Sequence, residues 1–249
     1  MVIDRVYKVS AFGYFNDIVP DSDNMMFFLN TFKDIGLFPS MAQEINTTAG
    51  ISGNTPMPVN RIALMSNDGQ EQVIIGTNRI DYAINVPDDV KLSQEEIEKI
   101  RLKIANFLEQ VFQKYSKRAI RLALNTESWL MNLSDIEITT FLSKYSNPIS
   151  IYSKGLAEWN IHLMVKKTIS LEENEDLNVI TNISKAVITK RIGDNNVVSN
   201  GFILQTDINT VAENTKQRFS NGSIGNFISE ANTLWALIVG EVSSDYGAK

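Results

Sequence analysis

Cysteine is absent from the 249-residue chain, and histidine occurs once, at His162. Without thiols there is no disulfide scaffold, zinc ribbon, iron–sulfur cluster or thiol nucleophile. One imidazole cannot furnish a two-histidine zinc site or a histidine acid/base pair. Glycine and proline are sparse, at 13 and 6 residues, which excludes collagen-like, linker-rich and low-complexity chains. No apolar run approaches the ~20 residues of a membrane span. The opening MVIDRVYKVSAFGYFNDIVP sets Asp4, Arg5 and Lys8 inside its apolar stretch, unlike the unbroken core of a signal peptide. A cytoplasmic location with no membrane partner is therefore expected. Basic residues are outnumbered 23 to 29, a net charge of −6. That balance argues against non-specific nucleic-acid binding, which depends on Lys and Arg at phosphates.

The residues that are present pattern clearly. Ile3 to Phe15 reads as a strand. Asp21 to Asn24 supply N-caps for a short helix carrying Met25, Phe28, Leu29, Phe32 and Ile35, stopped at Gly36. Phe38 to Pro58, rich in Thr, Gly, Asn and Pro, reads as a long loop, either a contact surface or a connector. Val59 to Asn85 reads as three strands, with Asp68-Gly69 as a tight hairpin turn. Ser93-Gln-Glu-Glu96 is a capping box opening a long helix striped by Ile97, Ile100, Ile104, Phe107, Leu108, Val111 and Tyr115. A strand over Arg118–Asn125 and a shorter helix after Ser134 follow, the latter ended by Asn147-Pro148. Strands are expected near Trp159–Lys166, Leu177–Lys190 and Val197–Ile208, and a final helix over Ser223–Val242. The fold class is thus α+β, with two antiparallel β-meanders each followed by a long packed α-helix. One domain over 1–249 fits the length, with a subdivision near 147–155 (1–147 and 155–249) as the other arrangement.

Arg61-Ile-Ala-Leu-Met-Ser-Asn-Asp-Gly69, the Phe107–Phe112 helix region, Arg118-Ala-Ile-Arg-Leu-Ala-Leu-Asn125 and Gln205-Thr-Asp-Ile208 follow one another in this order. The order resembles a sporadically distributed bacterial family of uncharacterised proteins, over roughly residues 35–242. An antiparallel sheet backed by a long C-terminal helix is also similar, more distantly, to the export chaperone SecB. Both resemblances imply a non-enzymatic binding role and self-association, and neither carries catalytic residues across.

Catalytic chemistry is hardly assembled in the sequence. His162 lies mid-strand without a visible orienting partner. GxSxG, GxGxxG and GxxxxGK[ST] are all missing; a Ser–Lys pair stays open. Gly50-Ile-Ser-Gly53 is a two-glycine turn, and Gly222 and Gly225 either enter a helix flexibly or present amides to an anion. Acidic pairs at Asp21/Asp23, Asp88/Asp89 and Glu95/Glu96 and the run Glu172–Asp176 read as caps and solvated charge, with divalent-metal binding as the alternative. No catalytic, cofactor or metal residue is assigned.

Two surfaces are singled out. Lys114, Lys117, Arg118 and Arg121 form a candidate anion or nucleic-acid contact, with Lys185, Lys190 and Arg191 as a smaller set, although Lys114 and Lys117 also suit a helix C-terminus. In the last helix Leu234, Trp235, Leu237, Ile238 and Val239 widen the apolar stripe into a candidate interface. The expectation is a non-enzymatic interaction or assembly subunit of bacterial or phage origin, a homodimer by default or bound to a protein partner. A carboxylate/divalent-metal enzyme and a nucleic-acid binder are the alternatives.

Overall fold

The structure is a computed structural model, which describes residues 2–45, 58–87, 90–145, 158–192, 195–220 and 222–244. The Gly50–Gly53 turn, the Asp88/Asp89 pair, the Asn147-Pro148 stop, the 147–155 boundary and the side chains of Lys190 and Arg191 lie outside the described residues.

In chain order the elements are β1 (Val2–Phe12), α1 (Ser22–Phe32), β2 (Leu37–Ile45), β3 (Pro58–Ser66), β4 (Glu71–Ile75), β5 (Arg79–Asn85) and α2 (Gln94–Tyr115). There follow β6 (Arg121–Met131), α3 (Asp135–Tyr145), β7 (Asn160–Ser170), β8 (Asn174–Ile192), β9 (Asn195–Thr210) and α4 (Ser223–Ser244). All nine strands join one sheet of order β2-β3-β4-β5-β1-β6-β9-β8-β7, and every pairing is antiparallel.

This corrects the expected architecture of two meanders each followed by a long packed helix. The first strand is not a lone opener but the centre of the sheet, bonded to β5 on one side and β6 on the other. β6 in turn pairs with β9, so both meanders fuse across the β1–β6 ladder into one sheet. The Phe38–Pro58 stretch is corrected as well. Its first part is β2, an edge strand paired among the described residues with β3 alone, from Leu37↔Ser66 to Ile45↔Pro58. An edge position tolerates Pro39, whose missing N–H need not reach a second neighbour.

The register places Tyr7, Ile84, Thr126 and Thr206 side by side on one face. All four helices pack on that face. Tyr82 meets Phe107 of α2 at 5.4 Å, Tyr7 meets Trp235 of α4 at 5.8 Å, and Phe202 meets Phe141 of α3 at 4.6 Å. Phe32 of α1 stacks on Phe107 at 4.5 Å. The core made this way is continuous from β3 to β8 and contains every fully buried aromatic ring.

Local chemistry sets the element ends. Ser93 Oγ accepts from the Glu96 amide while Glu96 accepts from the Ser93 amide at 2.8 Å, closing the capping box of α2. Asp21 caps α1 by accepting from the Asn24 amide at 2.8 Å. The β3–β4 hairpin turns at Gly69, whose φ of +72° is the left-handed region that glycine enters without a Cβ penalty. Gly201 serves a different need: β9 passes so close to β6 that a Cβ there would lie 2.0 Å from the Leu130 carbonyl oxygen.

Candidate functional site: an uncovered sheet face and an open edge

With the helices on one face, no helix among the described residues covers the other face of the sheet. Alternation along the strands places Lys8, Ser10, Asp81, Arg121, Asn125, Glu127, Trp129, Asp207, Asn209 and Asn178 there. Their ladder positions form rows across the sheet. Asp81, Ser10, Ala123, Asn209 and Asn178 make one. Lys8, Asn125 and Asp207 make the next, and Glu127, Gln205, Asn182 and His162 the third.

The belt is internally bonded. Ser10 donates to Asp81 Oδ1 at 2.5 Å, Gln205 Nε2 to Glu127 Oε2 at 2.9 Å, and the Trp129 indole to Glu127 Oε1 at 2.8 Å. Ser10 and Asn209 are each only 2% exposed, although no helix among the described residues lies on this face. The aromatic rings are already occupied by cations: Arg5 lies 4.5 Å over Trp129, and Arg79 and Arg121 lie 5.8 and 4.9 Å from the centre of Phe12. Charges of both signs alternate, Arg5, Lys8, Arg79 and Arg121 against Asp81, Glu127 and Asp207. A nucleic-acid platform would offer free rings and a net positive field, whereas here the rings of Trp129 and Phe12 carry guanidinium groups and acidic side chains are interleaved with the basic ones.

Ser10 bonded to Asp81 lacks the imidazole that would make it a nucleophile. His162 sits on β7, four strands from β1, roughly 19 Å away at ~4.8 Å per strand. It is exposed, and its Nδ1 bonds Asn182 Oδ1 at 2.7 Å, a cross-strand pair. The amines of Lys99, Lys103 and Lys117 all engage carboxylates. Among the described residues no three His, Cys, Asp or Glu side chains converge as a metal group. Glu95 pairs with Lys99, and Glu96 serves the capping box. The Glu172–Asp176 run, read as solvated, is corrected at Glu175. This residue is inside β8, 6% exposed, and forked by Arg218 at 2.6 and 3.0 Å. At the start of α4 the Gly222 amide donates to Glu109 Oε1 of α2 at 3.0 Å, so a carboxylate of the chain itself takes the anion's place.

The basic residues disperse. Lys114 lies over the Phe27 ring at 5.4 Å, Lys117 pairs with Asp17 at 2.7 Å, Arg118 is exposed at the rim of the Arg218 pocket, and Arg121 is on the uncovered face. The α4 residues divide too. Trp235 and Val239 are buried in the chain's own core, Leu234 and Ile238 pack against it, and Leu237 is 57% exposed. The wide apolar stripe of α4 is used on two sides, against the sheet and against α2.

The sheet ends at two edges. On β7, Leu163, Met164 and Val165 run consecutively at 43%, 53% and 49% exposed, projecting from both faces of a strand that has one neighbour among the described residues. Sequence reading recognised β7 as a strand but had no means of knowing it is an edge. Trp129 was missed because the preceding strand seemed complete at Asn125, whereas β6 runs on to Met131. No helix among the described residues is long and apolar enough to cross a membrane. No family model, no curated protein and no solved structure matches this chain, so the resemblance to the bacterial family and to SecB rests on sequence pattern alone.

Proposed function

We propose that the chain is a non-enzymatic assembly subunit that associates with a second copy of itself along β7. The observation that carries this reading is the open β7 edge. Among the described residues, it offers an unpaired row of main-chain N–H and C=O groups beside three consecutive exposed apolar side chains. Such an edge is a template for strand addition. The charge pattern selects the direction. Asn160 to Val165 contains no Asp, Glu, Lys or Arg, and Lys166 and Lys167 follow. A parallel pairing would set lysine against lysine, whereas an antiparallel pairing about Leu163 sets Val165 opposite Ile161 and Lys166 opposite Asn160. The two-fold symmetry of that pairing is the commonest closed form for a homo-oligomer. The uncovered polar face would then extend across both copies as a continuous platform.

Light scattering of the purified chain at about 50 µM tests this; the expected mass is twice the 27.9 kDa of one chain. Leu163→Glu combined with Met164→Lys should return it to one chain mass with unchanged circular dichroism. A wild-type protein that stays monomeric, or a double variant that still dimerises, would sink the proposal.

A further inference from the structure

α2 and α4 lie side by side and antiparallel, with Arg101 reaching Gly225 and Glu109 reaching Gly222 at one end. Between them runs a groove of about 460 Å³ that continues into a recess of about 130 Å³. Gln94, Ile97 and Ala236 line both. The combined space is in the range of small-ligand sites.

The polar groups here are biased in one direction. The buried Tyr7 hydroxyl donates to Asn232 Oδ1 at 2.7 Å. Burial raises the phenol far above its ordinary range, so it remains a donor. That bond fixes the Asn232 amide with its oxygen occupied and its Nδ2 hydrogens unclaimed among the described residues. Trp235, 4% exposed, lines the recess, and its indole N–H is buried with no acceptor among the described residues. The acceptors nearby are spent. Asp4 takes the Ser128 hydroxyl at 2.8 Å and the Leu92 amide at 2.9 Å. The charges on the groove walls are also cancelled. Glu98 forks Arg101, with Nε–Oε2 at 2.7 Å, and Lys91 stands exposed at the rim.

We infer that the α2/α4 groove is a binding site for a small, uncharged molecule carrying a carbonyl oxygen, which accepts from Asn232 Nδ2 while its apolar body lies against Ile97, Ala236 and Val239. The site is separate from the β7 edge, so it stands or falls independently of self-association.

Octan-2-one is a suitable probe, read by the indole N–H resonances of the ¹⁵N-labelled full chain. The three tryptophans give three signals, and Trp235→Phe assigns the one of interest. A saturable shift of the Trp235 signal is expected, with Trp129 and Trp159 unmoved. Asn232→Leu should weaken binding by up to about tenfold, the worth of one hydrogen bond. Thr233→Trp, which fills the mouth from an exposed position and does not disturb the core, should abolish it. The inference is overturned by a Trp235 signal that does not saturate up to the solubility limit of the ketone. Equal binding by Thr233→Trp overturns it, as does tighter binding of octanoate than of the ketone, which would make the exposed Lys91 and an anion the determinants.

Discussion

Arg218 should be among the most costly single positions in the chain to change, and its worth can be worked out from its contacts. Its guanidinium forks Glu175 at 2.6 and 3.0 Å, with the two side chains 13% and 8% exposed. Its remaining nitrogen donates to the carbonyls of Asn214 at 2.7 Å, Lys216 at 3.3 Å and Ile120. The same group covers the Phe219 ring at 4.5 Å. One side chain therefore ties the β6 entrance, the start of β8 and the 211–219 loop together. Arg218→Met keeps the packing volume but leaves the Glu175 carboxylate buried without a partner. Removing one member of a buried pair costs about 3–5 kcal/mol. At roughly 2–4 °C per kcal/mol for a chain of this size, the melting midpoint should fall by about 6–20 °C. The double variant Glu175→Leu/Arg218→Met should be far less destabilised than the sum of the singles, because most of each single cost is the orphaned charge. A coupling of at least ~1.5 kcal/mol is expected. Urea unfolding followed by circular dichroism measures all three, with an unchanged m-value showing that only stability moved. A single cost under ~1 kcal/mol, or strict additivity, would show that the fork is solvated and that Glu175 belongs to the exposed acidic run after all.

Other outcomes follow from the same contacts. Phe107→Ala removes a fully buried ring that touches Phe28, Phe32 and Tyr82, and should cost about 3–5 kcal/mol, whereas Leu102→Ala on the exposed side of α2 should stay within ~0.5 kcal/mol in the same urea assay. Gly201→Ala should destabilise by ~1–3 kcal/mol or more, because the clash is with the Leu130 backbone and not with a mobile side chain; a neutral result would mean β6 and β9 are further apart than described. Burial alone would raise the Glu44 carboxyl, but the Thr77 hydroxyl and amide and the Arg61 guanidinium outweigh it and hold the group below its usual range. A depressed folded value gives stability that is complete above the unfolded value of about 4.3 and is lost as pH falls through the folded one. The difference in urea midpoint between the wild type and Glu44→Gln should accordingly be flat from pH 5 to 7 and shrink below about pH 4; a difference that grows on acidification would reverse the assignment.

What the sequence shows clearly is local. The Ser93 capping box, the Asp68-Gly69 turn and the stripes of α2 and α4 are each decided within a few residues, and each stands in the structure. Lateral order in the sheet is decided at a distance. β1 sits in the centre because Ser10 faces Asp81 on one side and Ala123 on the other, partners more than 70 residues away that no periodicity within β1 announces. β2 escaped notice because Phe-Pro-Ser-Met-Ala-Gln-Glu has little β-favouring character, and its strand state comes from pairing with β3. The same limit applies to the site. That Leu163, Met164 and Val165 are a strand is legible, but that the strand is an edge depends on what does not lie beside it. Of the α4 residues singled out as an interface, Trp235 and Val239 are buried within the chain while Leu237 stays exposed, and a stripe cannot declare how many neighbours it has.

The central place of the first strand has a consequence for synthesis on the ribosome. β1 leaves first, yet its ladder with β5 needs residues up to Asn85 and its ladder with β6 needs residues up to Leu130. The strands from β1 to β5, with α1 and α2, can form a five-stranded unit as soon as α2 has emerged. In that unit β1 is an edge, and its second row of hydrogen-bonding groups faces solvent until β6 arrives. During that interval the nascent chain exposes, at its future centre, the same kind of open border that the described residues of the finished molecule keep at β2 and β7.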